Sequence, residues 1–100
     1  MNNQLTGYML SEVAVLGAII ANPEAMSEAV TLLDREDFAD ERHRWIWRAA
    51  KYLHDKKTPI TIVTLTEMLN RYKKLEEAGG VGYMTEIASS FPFASEIPAH

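Results

Sequence analysis

Apolar residues recur along this chain at intervals of three and four, and no stretch alternates with the period of two that a half-buried strand requires. The pattern predicts helices throughout. Ser11, a good N-cap residue, is expected to open the first helix, which runs to about Ala21 with Val13, Leu16 and Ile20 on one face. Asn22-Pro23 ends that helix and begins the next: asparagine caps, and proline at the first helical position forfeits no hydrogen bond. In the second helix Met26, Val30 and Leu33 fall at i, i+4 and i+7. The acidic run Asp34-Arg35-Glu36-Asp37 closes it, and Phe38 reads as a plug that pins the connection to the core.

Asp40 is placed to cap a third helix that runs to about Lys57 and stops at Thr58-Pro59. At about 100° per residue, His43, Ile46, Trp47, Ala50 and Leu53 share one face. Trp45, Ala49 and Tyr52 make a second apolar strip, which leaves Arg44, Arg48, Lys51 and Asp55 as a narrow polar arc. A helix apolar over so much of its girth is central to the fold or covered by a second chain, and it is taken as the core helix. Thr61 caps a fourth helix with Ile62, Leu65, Leu69 and Tyr72 as its buried stripe. Gly79-Gly80 is a turn, and a short last helix from Gly82 to about Ser89 buries Tyr83 and Ile87.

The expected architecture is all-α: a compact orthogonal bundle of about five to six short helices. Residues 1–10 are read as a flexible lead-in and 11–94 as the globular head. In the apolar tail Phe91-Pro92-Phe93-Ala94, the two aromatics are placed to seal the core, and residues 95–100 read as the first turn of a truncated helix. The expected core is Val13, Leu16, Ile20, Val30, Phe38, Ile46, Trp47, Leu53, Leu65, Leu69, Tyr83 and Ile87.

Composition fits a single soluble domain of 100 residues, 47% hydrophobic and 24% charged. The absence of cysteine excludes a disulfide framework and a thiolate zinc site, and suits a cytoplasmic setting. The apolar runs are too short for a membrane span, and the first residues lack the basic segment of a secretory signal. The net charge of −4 conceals a segregation. Residues 1–41 hold eight acids and one base, residues 42–74 nine bases and two acids, and residues 75–100 four acids. Such blocks favour self-association or acidic partners, or simply mark solvated faces of differing sign. Free-standing DNA binding is disfavoured, since contact with phosphates requires a net basic footprint.

The sequence carries no recognisable catalytic motif. No phosphate-binding loop of the G-x-x-x-x-G-K-[ST] type is present, and Gly80-Val81-Gly82 follows a helix instead of a strand. His43 and His54 share a helix face but stand roughly 16 Å apart along its axis, too far for one metal. The acids Asp34, Glu36, Asp37, Asp40 and Glu41 lack the alternating ligands and glycine of a calcium loop. No catalytic residue, bound cofactor or metal ligand is therefore assigned. Three features are candidates for binding: the strip Trp45, Ala49, Tyr52; the arc Arg44, Arg48, Lys51; and the aromatic pair Phe91 and Phe93. The strip serves equally well as a second wall of the core, and the arc as an ordinary solvated face.

An ordered set of short blocks carries a resemblance. It comprises Glu12 to Gly17, Asp37-Phe38, His43-Arg44 with Ile46, Pro59-Ile60 through Leu65 and Leu69, Leu75 to Tyr83, and Phe91-Pro92 with Ala94 and Ile97. In this order and spacing they resemble the N-terminal domain of the DnaB-type replicative DNA helicases over about residues 10–100. Val13, Ala39, Thr61 and Pro98 depart from the usual residues, which suggests a divergent, phage-encoded member.

The resemblance implies a helical head whose full domain ends in a hairpin not reached by this sequence, so the chain alone is expected to be largely monomeric. It implies assembly into a collar with other helicase subunits, and docking of primase or a helicase loader. ATP and magnesium would act in the parent's motor domain, which would also contact single-stranded DNA. Two rival readings are the helicase-interacting domain of a primase and a helix-turn-helix DNA-binding regulator. The latter needs a base-reading helix, whereas the third helix carries Trp45 and Trp47.

Overall fold

The computed structural model of the protein describes residues 2–89, with side chains from Glu12 onward other than that of Pro23. Five α-helices follow in order: α1 Asn2–Ala21, α2 Pro23–Leu32, α3 Glu41–Asp55, α4 Ile62–Tyr72 and α5 Gly80–Ser89. A 3-10 turn, Arg35–Asp37, lies between α2 and α3, and no strand occurs among the described residues. The all-helical expectation is met.

Three caps form where the side chains predict them. Asn22 Oδ1 accepts the Glu24 N–H at 3.0 Å, Asp40 Oδ1 the Arg42 N–H at 2.9 Å, and Thr61 Oγ1 the Thr64 N–H at 3.1 Å. Each satisfies a backbone donor that the helix itself leaves open. The start of α1 differs: it begins at Asn2, so Ser11 is an interior residue and the expected lead-in is helical. A side chain that can cap does not end a helix when no proline or turn precedes it, and the first proline is Pro23.

The helices pack as a closed circuit in which α3 meets α1, α2 and α4, while α5 meets α1 and α4. Ile46, Trp47, Ala50 and Leu53 are buried on α3, against Leu16, Met26, Phe38, Leu65, Leu69, Met84 and Ile87. Phe38 lies with its ring centroid 5.4 Å from that of Trp47, as the plug it was expected to be.

Core expectations on three helices need correction. On α1 the buried residues are Leu16 and Ile19, while Val13 and Ile20 pack only at the edge. The helix is turned by part of a residue spacing toward Glu12, whose carboxylate has a partner waiting in the core. On α2, Met26 and Ala29 go inside and Val30 is partly buried, because the small alanine lets the helix sit close. Tyr83 is also only half-buried, with Met84 taking the deep position on α5. Phe91, Phe93 and the helix start expected at 95–100 lie outside the described residues.

Candidate functional site

A polar chain crosses the core. Glu12 on α1 is 5% exposed and His43 on α3 is 0% exposed. Glu12 Oε1 stands 2.6 Å from His43 Nδ1, and His43 Nε2 stands 2.5 Å from the Tyr83 hydroxyl on α5. A neutral imidazole that donates from Nδ1 to the carboxylate and accepts the tyrosine proton at Nε2 satisfies every member. Glu12 Oε2 also accepts the Ala39 N–H at 2.7 Å, which ties the connection before α3 into the same chain. No buried side-chain N or O among the described residues lacks a partner.

The outer end of this chain is closed by an ion pair. Arg42 Nη2 reaches Asp40 Oδ2 at 2.6 Å, and its guanidinium lies 4.1 Å from the Tyr83 ring centroid. The hydrogen bond from Arg42 holds the Asp40 carboxyl below the ordinary carboxylate range. Burial pushes the Tyr83 phenol above its ordinary value. The arrangement resembles a relay, yet His43 is fully buried, and its evident work is to staple α1, α3 and α5.

The surface candidates are arranged differently from the strip read along the sequence. Ala49 is 0% exposed and belongs to the core, so Trp45, Ala49 and Tyr52 form no continuous outer strip. The reason is the position of α4: Trp45 packs against Tyr72 with ring centroids 6.3 Å apart, and Tyr52 shares a cleft with Met68 and Arg71. The small residue between them is covered. Trp45 is half-buried, with Arg48 5.5 Å and Lys74 5.3 Å from its ring. Arg44 is committed to the fold, since its Nε donates to the Phe38 carbonyl at 2.6 Å.

Arg48 and Tyr52 do reach a common surface. With Lys51, Asp55 and the ring of Tyr72 they line an open groove of about 470 Å³, bordered on its other side by Asp34, Arg35 and Glu36. Lys56 Nζ stands 5.6 Å from the Tyr52 ring. The groove presents charge of both signs around aromatic rings. It offers contacts for a macromolecular partner and no nucleophile–base pair.

Among the described residues no group of three or more His, Cys, Asp and Glu side chains is placed to hold a metal ion, and no helix is long and apolar enough to cross a membrane. The acidic connection and the basic residues Arg48 and Lys51 were legible as charge patterns, while their meeting in one groove was not. The Glu12–His43–Tyr83 chain was not, although a glutamate and a histidine lying on apolar stripes are a signal of buried pairing.

Comparison with known proteins places this geometry. The family description "DnaB-like helicase N terminal domain" matches residues 8–100. The replicative DNA helicase DnaC of Bacillus subtilis is 41% identical over 87 residues, which is 87% of this chain and 19% of that protein. The replicative DNA helicase DnaB of Geobacillus stearothermophilus is 38% identical over the same length, again 87% of this chain and 19% of its own. The crystal structure of the N-terminal domain of DnaB helicase from Mycobacterium tuberculosis superposes with a TM-score of 0.82 at 26% identity, covering 87% of this chain and 63% of that one. This chain thus spans about a fifth of the length of these two helicases. With an all-helical fold, a family match over nearly its whole length and a solved neighbour of the same shape, the chain belongs to the family of DnaB-like helicase N-terminal domains.

Proposed function

We propose that this chain is the assembly and docking unit of a replicative helicase, supporting a ring of helicase subunits and receiving primase or a helicase loader. The observation that carries the reading is the groove over α3, a surface with charge of both signs and a partly exposed tyrosine. Unwinding and ATP hydrolysis with magnesium would belong to the motor region of a parent helicase working in the bacterial cytoplasm, where single-stranded DNA is also handled. This domain orients subunits and hydrolyses nothing.

The test is binding by the purified chain to helicase subunits, to primase and to loader, with ATP turnover measured in parallel. Saturable binding to one of them without ATP turnover is the expected result. ATP hydrolysis by the chain would contradict the reading. So would steeply salt-dependent binding to duplex DNA in place of protein binding, which would favour the DNA-binding regulator.

A further inference from the structure

A second hollow, of about 330 Å³, lies where the end of α3 meets α2, lined by Ser27, His54, Lys57, Thr58, Pro59 and Ile60. Its charge is one-sided. No acidic side chain lines it: Asp55 lines the α3 groove instead, and Glu24 and Glu28, the acids of α2, stand outside it. Its donors are also uncommitted. Among the described residues Lys57 forms no ion pair, the Ser27 hydroxyl and the His54 ring form no hydrogen bond, and the Ile60 N–H has no acceptor.

The end of α3 explains how these groups come together. Lys57 adopts the left-handed conformation, at φ +57°, that closes the helix. Its N–H donates to the His54 carbonyl at 3.0 Å, and the Thr58 N–H donates to the Leu53 carbonyl at 2.9 Å. Those bonds occupy carbonyls that would otherwise oppose an anion at a helix C-terminus. Pro59 cannot continue the helix, and the irregular segment that follows offers the Ile60 amide no partner. Pro59 and Ile60 supply the apolar wall, and Ile60 is anchored by packing against the core.

An ammonium, an imidazole, a hydroxyl and a backbone N–H beside an apolar wall match a carboxylate carried on a compact hydrocarbon or aryl body. An inorganic anion leaves the wall unused. A neutral apolar molecule desolvates Lys57 without supplying a counter-charge. We infer that this hollow is a binding site for apolar carboxylates, separate from the α3 groove and independent of what docks there. Free small acids carry this chemistry, and so does the C-terminal residue of a protein chain.

The experiment is titration of the isotope-labelled chain with 3-phenylpropanoate at about pH 7, where the acid is ionised, read from backbone amide NMR shifts. Saturable shifts at Ser27, His54, Lys57 and Ile60 are expected, with a Kd of about 1–10 mM. The uncharged 3-phenylpropanamide is expected to bind at least about fivefold more weakly. Lys57→Gly removes the cation at a backbone position that suits glycine, and is expected to weaken binding about three- to tenfold with the fold intact. Lys73→Gly makes the same exchange at the left-handed end of α4, outside the hollow, and is expected to bind as the wild type does. Ser27→Glu, at an exposed position, adds a like charge and is expected to abolish saturation. Circular dichroism checks the fold of each variant.

Shifts that fail to saturate by about 50 mM overturn the inference, as does equal binding of acid and amide. Undiminished binding by Lys57→Gly overturns it too, and so do shifts centred on Arg48 and Tyr72 in the α3 groove. The peptide acid acetyl-diglycyl-phenylalanine separates the two sources. Binding tighter than that of 3-phenylpropanoate assigns the site to a chain end, and binding no tighter assigns it to a free acid.

Discussion

The Tyr83 hydroxyl stands 2.5 Å from His43 Nε2, so a half-exposed residue of the last helix completes the hydrogen bonding of a histidine that is itself fully buried. Tyr83→Phe keeps the ring under Arg42 and removes only that bond. It is expected to lower the unfolding free energy by about 1–3 kcal/mol, the cost of leaving a buried acceptor unsatisfied. Glu12→Ala strips both the histidine and the Ala39 amide of their acceptor and is expected to cost more, about 2–5 kcal/mol. Urea unfolding with an unchanged slope checks both, and a Tyr83→Phe variant as stable as wild type would remove the bond from the account.

Acid should weaken the fold through Asp40. Its folded pKa lies below the ordinary 3.8, chiefly because of the Arg42 hydrogen bond, so its contribution is present above about pH 4 and is lost as pH falls through the lowered value. Tyr83 acts at the other end of the scale. Its raised folded pKa means that its contribution is intact below pH 10 and declines as pH climbs through the raised value. Melting temperatures across pH are expected to show both losses, with Arg42→Gln flattening the acid limb.

Gly79 and Gly80 both adopt left-handed backbone, at φ +101° and +81°, so any side chain strains either position. Only Gly79 is also crowded: a Cβ there would lie 2.8 Å from Tyr83 Cβ and 2.6 Å from Cδ2. Since the nearest atoms include the root of the tyrosine, α5 itself would have to shift. Gly80→Ala is expected to cost about 1–2 kcal/mol and Gly79→Ala at least about 1 kcal/mol more, read from thermal unfolding.

Ala49 and Trp45 should behave in opposite ways to truncation and enlargement. Ala49→Leu overfills a site with no exposure and is expected to cost about 1–3 kcal/mol. Trp45→Ala removes a half-buried ring and should cost less than Ile46→Ala, for which about 2–5 kcal/mol is expected. A Trp45→Ala loss equal to that of Ile46→Ala would move the indole into the core proper.

Lys73 caps α4 in left-handed conformation at φ +60°, where a side chain is disfavoured. Lys73→Gly is expected to raise stability by about 0.5–1 kcal/mol, visible as a higher melting temperature.

The elements were legible because their signals are local. Asn22, Asp40 and Thr61 cap helices within three residues of themselves, and the stripe Ile46, Trp47, Ala50, Leu53 needs only the pitch of a helix. Features set by docking were not. On α1 two phases compete: the all-apolar one, Val13, Leu16 and Ile20, and the one that turns Glu12, Leu16 and Ile19 inward. The second prevails because His43, 31 positions on, accepts the buried carboxylate as its partner, and nothing near Glu12 announces that. Ala49 was left open between an outer strip and a second wall of the core, and its burial on the core side depends on where α4 lies. The groove residues Arg48 and Tyr52 were legible as exposed types, while their meeting with Asp34 and Glu36 across a common hollow was a property of the folded chain.

The two tryptophans of α3 give the molecule a built-in pair of optical reporters. Trp47 packs against Phe38 and is shielded from water-borne quenchers, although it also borders the groove. Trp45 sits half-buried beside Arg48 and Tyr72, both of which border the groove, so its emission follows what happens on that surface. Iodide quenching therefore distinguishes the more accessible Trp45 from the shielded Trp47 in a single unlabelled sample, with Trp45→Phe isolating the shielded signal.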